Sequence, residues 1–144
     1  MLIGEYTHTL DDKKRVSLPV KFRKELGKQI IVTAGLDNCL FVFTLEAWKG
    51  VSSKLSSMSF LQSDHRSFNR YLFGQAALID IDASGRILIP DNLREKAGLS
   101  EKVTFIGVED RIEIWDSSVW NSYKQVVEKE ADALAEKLGS VGLI

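Results

Sequence analysis

The side chains with the most chemical promise come as two matched pairs. Asp11 stands four residues before Arg15, and Asp82 four residues before Arg86. Across a tight turn, a carboxylate at that separation can pair with the guanidinium or accept hydrogen bonds from turn amides, holding the loop and offering the arginine from a rigid edge. On spacing alone, a simple turn clasp and a ligand-contacting arginine stand level, since a surface ion pair is worth no more than about 1 kcal/mol. Lys13 and Lys14 tip the first set toward phosphate or base contact, because three consecutive cations ending at Arg15 repel one another unless an anion is near. Arginine suits bidentate contact with guanine in a major groove that admits a two-stranded β-ribbon, while lysine supplies phosphate attraction. Stacking platforms for single strands need aromatics on the basic face, and residues 11–15 contain none, so double-stranded DNA is the expected partner.

Other chemistries find less support. Asp11 with Asp12, and Asp80 with Asp82, could be paired acids, yet acid–base work also needs a pocket and a second positioned group. No Gly-x-Ser-x-Gly elbow, P-loop or dinucleotide fingerprint occurs. His8 and His65 lie far apart without other ligand types at metal spacing, and a structural role is expected for both. Cys39, the single cysteine, excludes an internal disulfide and suits a reducing compartment. The expectation is therefore no enzyme: no catalytic residue, no cofactor and no metal.

The elements that must position these residues recur with them. Asp11, Arg15, Pro19 and Phe22 have counterparts 71 positions later in Asp82, Arg86, Pro90 and Leu93 (82 against 11, 86 against 15). Thr44 and Trp48 match Asp116 and Trp120 at 72 (116 against 44), as does Gly35 with Gly107, which reads as one residue inserted between the blocks. Units of about forty residues rarely bury enough apolar surface alone, so the two copies read as halves of one core. Each begins with a strand (3–10 in the first copy), a charged turn and a short strand (15–18), expected as a hairpin. Pro19 then opens a short helix, 20–26, ended by Gly27. Strands 29–35 and 39–43 follow around Leu36-Asp37-Asn38, a turn that tolerates positive φ. Strands 101–107 and 111–115 are their counterparts. Cys39, Phe41 and Phe43 stand where the second copy has Arg111, Glu113 and Trp115, so the first copy's outer face needs a cover, from this chain's helices or from a neighbouring subunit. Thr44 and Asp116 are N-cap types before amphipathic runs, Trp48-Val51-Leu55-Met58 and the long stripe from Trp120 to Leu138. A further helix spans about 64–73.

Composition agrees with a soluble globular chain. With 144 residues, 44% apolar and 27% charged, it has the size of one domain or two very small ones; no signal peptide is expected from its opening residues, and no apolar run is long enough to span a bilayer. Net charge is only −1, but residues 11–28 hold seven cations against three anions, and residues 109–138 hold eight anions against four cations. A positive patch can thus coexist with near-neutrality.

At this point the residues become recognisable. Gly4-Glu-Tyr-x-His8, Asp11-x-Lys13-x-Arg15-x-x-x-Pro19, Asp82-x-x-Gly85-Arg86-x-x-x-Pro90 and Gly107…Glu113-x-Trp115…Trp120 resemble the MraZ family of bacterial transcriptional regulators, relatives of the AbrB and SpoVT swapped-hairpin domains. The likeness covers nearly the whole chain to about residue 124. It implies an α+β, β-rich fold: a pseudo-two-fold, swapped-hairpin, AbrB-like β-barrel from two tandem repeats, with linker helices and a C-terminal helix. The parts would be repeat 1 over 5–47, a helical linker over 48–75, repeat 2 over 76–119 and a C-terminal helix and tail over 120–144. The resemblance further implies a cytoplasmic, nucleoid-associated repressor of its own division and cell-wall gene cluster, binding tandem promoter repeats as a homo-oligomer, a ring of eight or more subunits. By matching positions, Asp11 and Asp82 hold the turns while Lys13, Lys14, Arg15 and Arg86 contact DNA. One departure stands out: the family usually has Gly before the first Arg, as Gly85 precedes Arg86, but here it is Lys14. A positive φ there would cost about 1 kcal/mol or more. The alternative function is a ring-forming protein-interaction or scaffold module, suggested by Phe41, Phe43 and the long C-terminal helix.

Overall fold

The computed structural model describes residues 1–143. Its elements are β1 (Ile3–Thr9), β2 (Arg15–Ser17), α1 (Val20–Leu26), β3 (Gln29–Ala34), β4 (Leu40–Thr44), α2 (Leu45–Ser56), α3 (Ser63–Gly74), β5 (Ala77–Asp80), β6 (Arg86–Leu88), α4 (Asp91–Lys96), β7 (Lys102–Val108), β8 (Ile112–Asp116) and α5 (Ser117–Ser140). The described residues form an α+β fold with antiparallel sheets and five helices. Local chemistry sets the boundaries. Pro19 and Pro90, both at φ −54°, precede α1 and α4, and Gly27 at φ +73° ends α1. The Thr44 hydroxyl accepts the Ala47 N–H at 3.0 Å to start α2. Asp37 and Asn38 turn β3 into β4 at φ +62° and +64°, a conformation their short polar side chains tolerate.

The strands pair across the copies. Six form one sheet in the order β1-β7-β8-β4-β3-β5, and β2 with β6 forms a second, two-stranded sheet. Each copy's first strand leaves its own hairpin: β1 lies on β7, with Thr9 opposite Lys102, and β5 lies on β3, with Asp80 opposite Gln29. The expected hairpin of 3–10 with 15–18 is therefore not a ladder. The chain does turn back at Asp11, whose N–H donates to the Arg15 carbonyl at 2.8 Å, but β2 then takes β6 as its partner. The six-stranded sheet is open, with β1 and β5 at its edges.

Register also corrects the repeat. Ile30 faces Thr44 and Val103 faces Asp116, so with Thr44 and Asp116 equivalent, Ile30 corresponds to Val103, 73 positions on. Gly107 then matches Ala34, not Gly35. Two residues enter before β7 and one is lost in the following turn, where Glu109 and Asp110 replace Leu36, Asp37 and Asn38. One core results, containing Val16, Phe22, Ile30 and Val42 from the first copy with Ile87, Leu93, Val103 and Phe105 from the second.

The helices cover the outer faces. Phe43 packs on Trp48 and Trp48 on Phe73, with ring centroids 5.6 and 5.5 Å apart, so α2 and α3 of the same chain cover part of the apolar face of β4. The buried Thr33 hydroxyl donates to the Leu72 carbonyl at 2.6 Å, tying α3 to β3. On the other half, Trp115 of β8 meets Trp120 and Tyr123 of α5 at 5.2 and 4.9 Å. Beyond Val127 the whole of α5 is exposed. His8 has a structural role, its Nδ1 2.6 Å from the Ser17 carbonyl and its ring against Phe105. Among the described residues, no helix is long and apolar enough to cross a membrane.

Candidate nucleic-acid interface

Each Asp and Arg pair forms the same clasp. Asp11 Oδ1 accepts the N–H groups of Lys13 and Arg15 at 2.8 and 2.9 Å, and its Oδ2 accepts Arg15 Nε at 2.9 Å. Asp82 repeats this with Ser84 N–H, Arg86 N–H and Arg86 Nε, each at 2.9 Å. The turn clasp, one of the two alternatives on spacing, is thus formed in both copies. The carboxylate spends its lone pairs on the turn and on Nε, and the Nη donors have no acceptor among the described residues. The Arg15 amide, then the guanidinium and the Lys13 amide, draw the Asp11 carboxyl below its ordinary value of 3.8. Asp82 is lowered the same way by the Arg86 amide, the Arg86 side chain and the Ser84 amide. Hydrogen bonds to the charged form favour it in both cases.

The two arginines share one surface. In the β2–β6 ribbon Arg15 lies opposite Leu88, Val16 opposite Ile87 and Ser17 opposite Arg86. Val16 and Ile87 point into the core. Alternation then places Arg15, Ser17, Arg86 and Leu88 on the other face, with the arginines diagonal across the ribbon at about 7–8 Å. Instead of two separate hairpins, the copies' short strands share one ribbon, with the 11–15 turn at one end and the 82–86 turn at the other. Lys13 and Lys14 are exposed at the first end, and neither is in an ion pair among the described residues. Lys14 takes φ +64°, matching Gly85 at +78°, so the residue that departs from the family pattern does sit in the left-handed region.

Arg23 is the residue that spacing did not single out. A Cβ on Gly85 would lie 2.5 Å from the Arg23 guanidinium carbon, so the first copy's arginine covers the second copy's turn. Its Nε donates to the Leu18 carbonyl at 2.9 Å, while the Leu18 N–H donates to the Gly85 carbonyl. The signal was a difference between the copies. Arg94, the counterpart of Arg23, is held within its own helix by Asp91 at 2.7 Å. Where Asp91 stands, the first copy has Val20, which has no carboxylate to hold Arg23 back.

The acidic pairs are occupied otherwise. Asp11 and Asp82 serve their clasps, and Asp80 accepts from Gln29 Nε2 at 2.7 Å. Burial pushes the Cys39 thiol up to about 12, with Glu113 adding to the shift, so it carries no thiolate at neutral pH. No group of three metal-ligating side chains gathers among the described residues.

Comparison with known proteins bears on this arrangement. A family model described as "MraZ protein, putative antitoxin-like" matches twice, over residues 1–71 and 72–139. Among curated relatives, a "Transcriptional regulator MraZ" of Acetivibrio thermocellus is 48% identical over 143 residues, 99% of this chain and 100% of that protein. Proteins of the same name from Thermoanaerobacter sp. (strain X514) and Moorella thermoacetica are each 46% identical, covering 99% and 96% of this chain and 100% and 96% of their own lengths.

Proposed function

The chain belongs to the MraZ family, and from that premise we propose that it is a sequence-specific, duplex DNA-binding transcriptional regulator rather than an enzyme. It acts in the cytoplasm at the nucleoid as a repressor of its own division and cell-wall gene cluster, bound to tandem promoter repeats as a ring of subunits. The relatives named as regulators over full length support the general reading. The single observation that carries the DNA reading is the ribbon, whose outer face aligns two arginines, each locked through Nε by its own aspartate with its Nη donors uncommitted. Arg15 and Arg86 would read base edges, Lys13 and Lys14 would hold phosphates, and Asp11 and Asp82 would fix the angle of each guanidinium. The exchange of first strands between the copies supports the lineage with swapped-hairpin, AbrB-like barrels, and the two matched segments support repeats at 5–47 and 76–119 with a helical linker over 48–75 between them. The remaining part is a C-terminal helix and tail over 120–144, in keeping with α5, which runs to Ser140; Ile144 lies outside the described residues.

The test is a mobility shift on DNA from just upstream of the gene, where short tandem repeats about 10 bp apart are expected. Arg15→Ala should abolish the specific shift and leave the assembly intact, and binding by the wild type should fall steeply with salt. An unchanged shift in the variant would count against the assignment. The scaffold reading draws on the apolar side chains left exposed at the α2–α3 turn and along α5. A chain that ignores all duplex DNA at low salt would favour it.

A further inference from the structure

The turn between α2 and α3 places large apolar side chains in water and holds them there. Phe60 and Leu61 are 77% and 78% exposed. Arg66 Nη1 donates to both of their carbonyls, at 3.0 and 3.1 Å. Ser59 adds a second set of ties, its hydroxyl accepting the Leu61 N–H at 3.2 Å and its carbonyl accepting the Gln62 N–H at 3.3 Å. A turn so bonded presents its apolar pair at little entropic cost on binding.

The same chain carries a receptacle. Where α2 and α3 splay over β4 lies an open cavity of about 270 Å3 lined by Phe41, Phe43, Val51, Leu55, Phe68 and Leu72, with Lys54 at its rim. Its lining offers a ligand no polar partner except that lysine. The cavity has room for one aromatic side chain with an aliphatic neighbour. We propose that Phe60 and Leu61 of one copy seat in this cavity of a second copy, with Asp64 beside the inserted turn approaching Lys54. Charge complementarity selects this occupant: neither Lys54 nor Asp64 is in an ion pair among the described residues.

Knob and socket are different surfaces, so the contact is head-to-tail, and repetition closes a ring or runs on as a filament. Two such side chains and the walls they cover bury a few hundred Å2, well short of the roughly 1,200 Å2 of a stable pairwise interface. A single junction is therefore weak, and closure, which gives every chain two junctions, holds the assembly together. This contact rests on the ring in the function proposed above and supplies its joint, but it does not depend on DNA binding.

The experiment takes the full chain and the Phe60→Asp variant through light scattering, with circular dichroism to show that both are folded. The wild type should have the mass of several chains and the variant that of one. A single-chain wild type, or a variant of unchanged mass, overturns the contact. A second arm uses cysteines: a Lys54→Cys/Leu61→Cys double variant should give a ladder of covalent multimers under mild oxidation, whereas either single variant should give none. Dimers from Leu61→Cys alone would mean a tip-to-tip contact and also overturn it. A mobility shift at low salt separates the two claims. Phe60-dependent assembly without any DNA shift leaves the joint standing and removes the DNA reading, while a wild type that shifts DNA as a single chain does the reverse.

Discussion

Lys14 shows how one side chain can be set against its own backbone. At φ +64° it occupies the conformation that Gly85 takes in the other turn, and an L side chain there costs about 1–2 kcal/mol. Its charge at the end of the ribbon is the compensation the proposed function suggests. Lys14→Gly should therefore raise stability in urea by about 0.5–1 kcal/mol, after the extra freedom glycine brings to the unfolded chain. The same variant should bind duplex DNA more weakly, with a salt slope shallower by about 1. A variant both less stable and tighter-binding would contradict the strain and the contact together. The aspartates make a second prediction. Their carboxyls are lowered in the fold, so the clasps contribute fully above the ordinary value of 3.8 and are lost as pH falls through the lowered folded values. Carboxyl titration by NMR should place Asp11 and Asp82 below 3.8, and the order of the two turns should decay with them in acid. At this scale the sequence was informative where a residue acts on its near neighbours, as Asp11 does on Arg15. It was silent on Arg23, whose partner turn lies in the other copy.

Elements were legible for a related reason. The helix starts at Pro19, Thr44 and Asp116 depend on groups within a turn of the chain, and the strands follow a period of two visible in Leu40 and Val42 or Ile112 and Ile114. Strand partners were not, because alternation says which face is buried and nothing about which edge is paired. β1 fits its own β2 as well as it fits β7 on that criterion. The two N-caps show how the copies have diverged. Thr44 accepts one bond, from Ala47 N–H. Asp116, buried, accepts from the Ser100 amide and hydroxyl and the Ser118 hydroxyl at 3.2, 2.8 and 2.7 Å, besides the Val119 amide. Burial alone would raise its carboxyl, yet these bonds from Ser118, Ser100 and Val119 carry it below 3.8. Thr44→Ala should cost about 1 kcal/mol, the value of a cap. Asp116→Ala should cost about 2–3 kcal/mol, because the Ser100 and Ser118 donors lose their acceptor as well. Equal losses in urea unfolding would mean that Asp116 serves only as a cap.

The whole molecule is two copies that cannot be pulled apart. β1 finds its ladder on the second copy's β7, β5 finds its ladder on the first copy's β3, and the central β4–β8 pair and the β2–β6 ribbon each take one strand from either copy. The repeat was legible because Asp, Arg and Pro recur at one offset. The exchange was not, since a repeat folded within each copy and one folded across copies have the same sequence pattern. Consequences for folding separate them. A self-contained repeat would survive cutting between α3 and β5, but here residues 1–74 alone lose the partner of β1, the partner of β2 and half of the shared core. Each fragment, 1–74 or 75–144, should be unfolded alone at low concentration. Mixed in equal amounts they should recover the near-ultraviolet signal that the packed Trp115, Trp120 and Tyr123 give the intact chain. Heat should likewise melt the uncut protein in one transition, because neither copy retains a core once the other has opened. A fragment that folds as a monomer, or a melt in two steps, would show that the halves are stable units and that the exchanged strands are not what joins them.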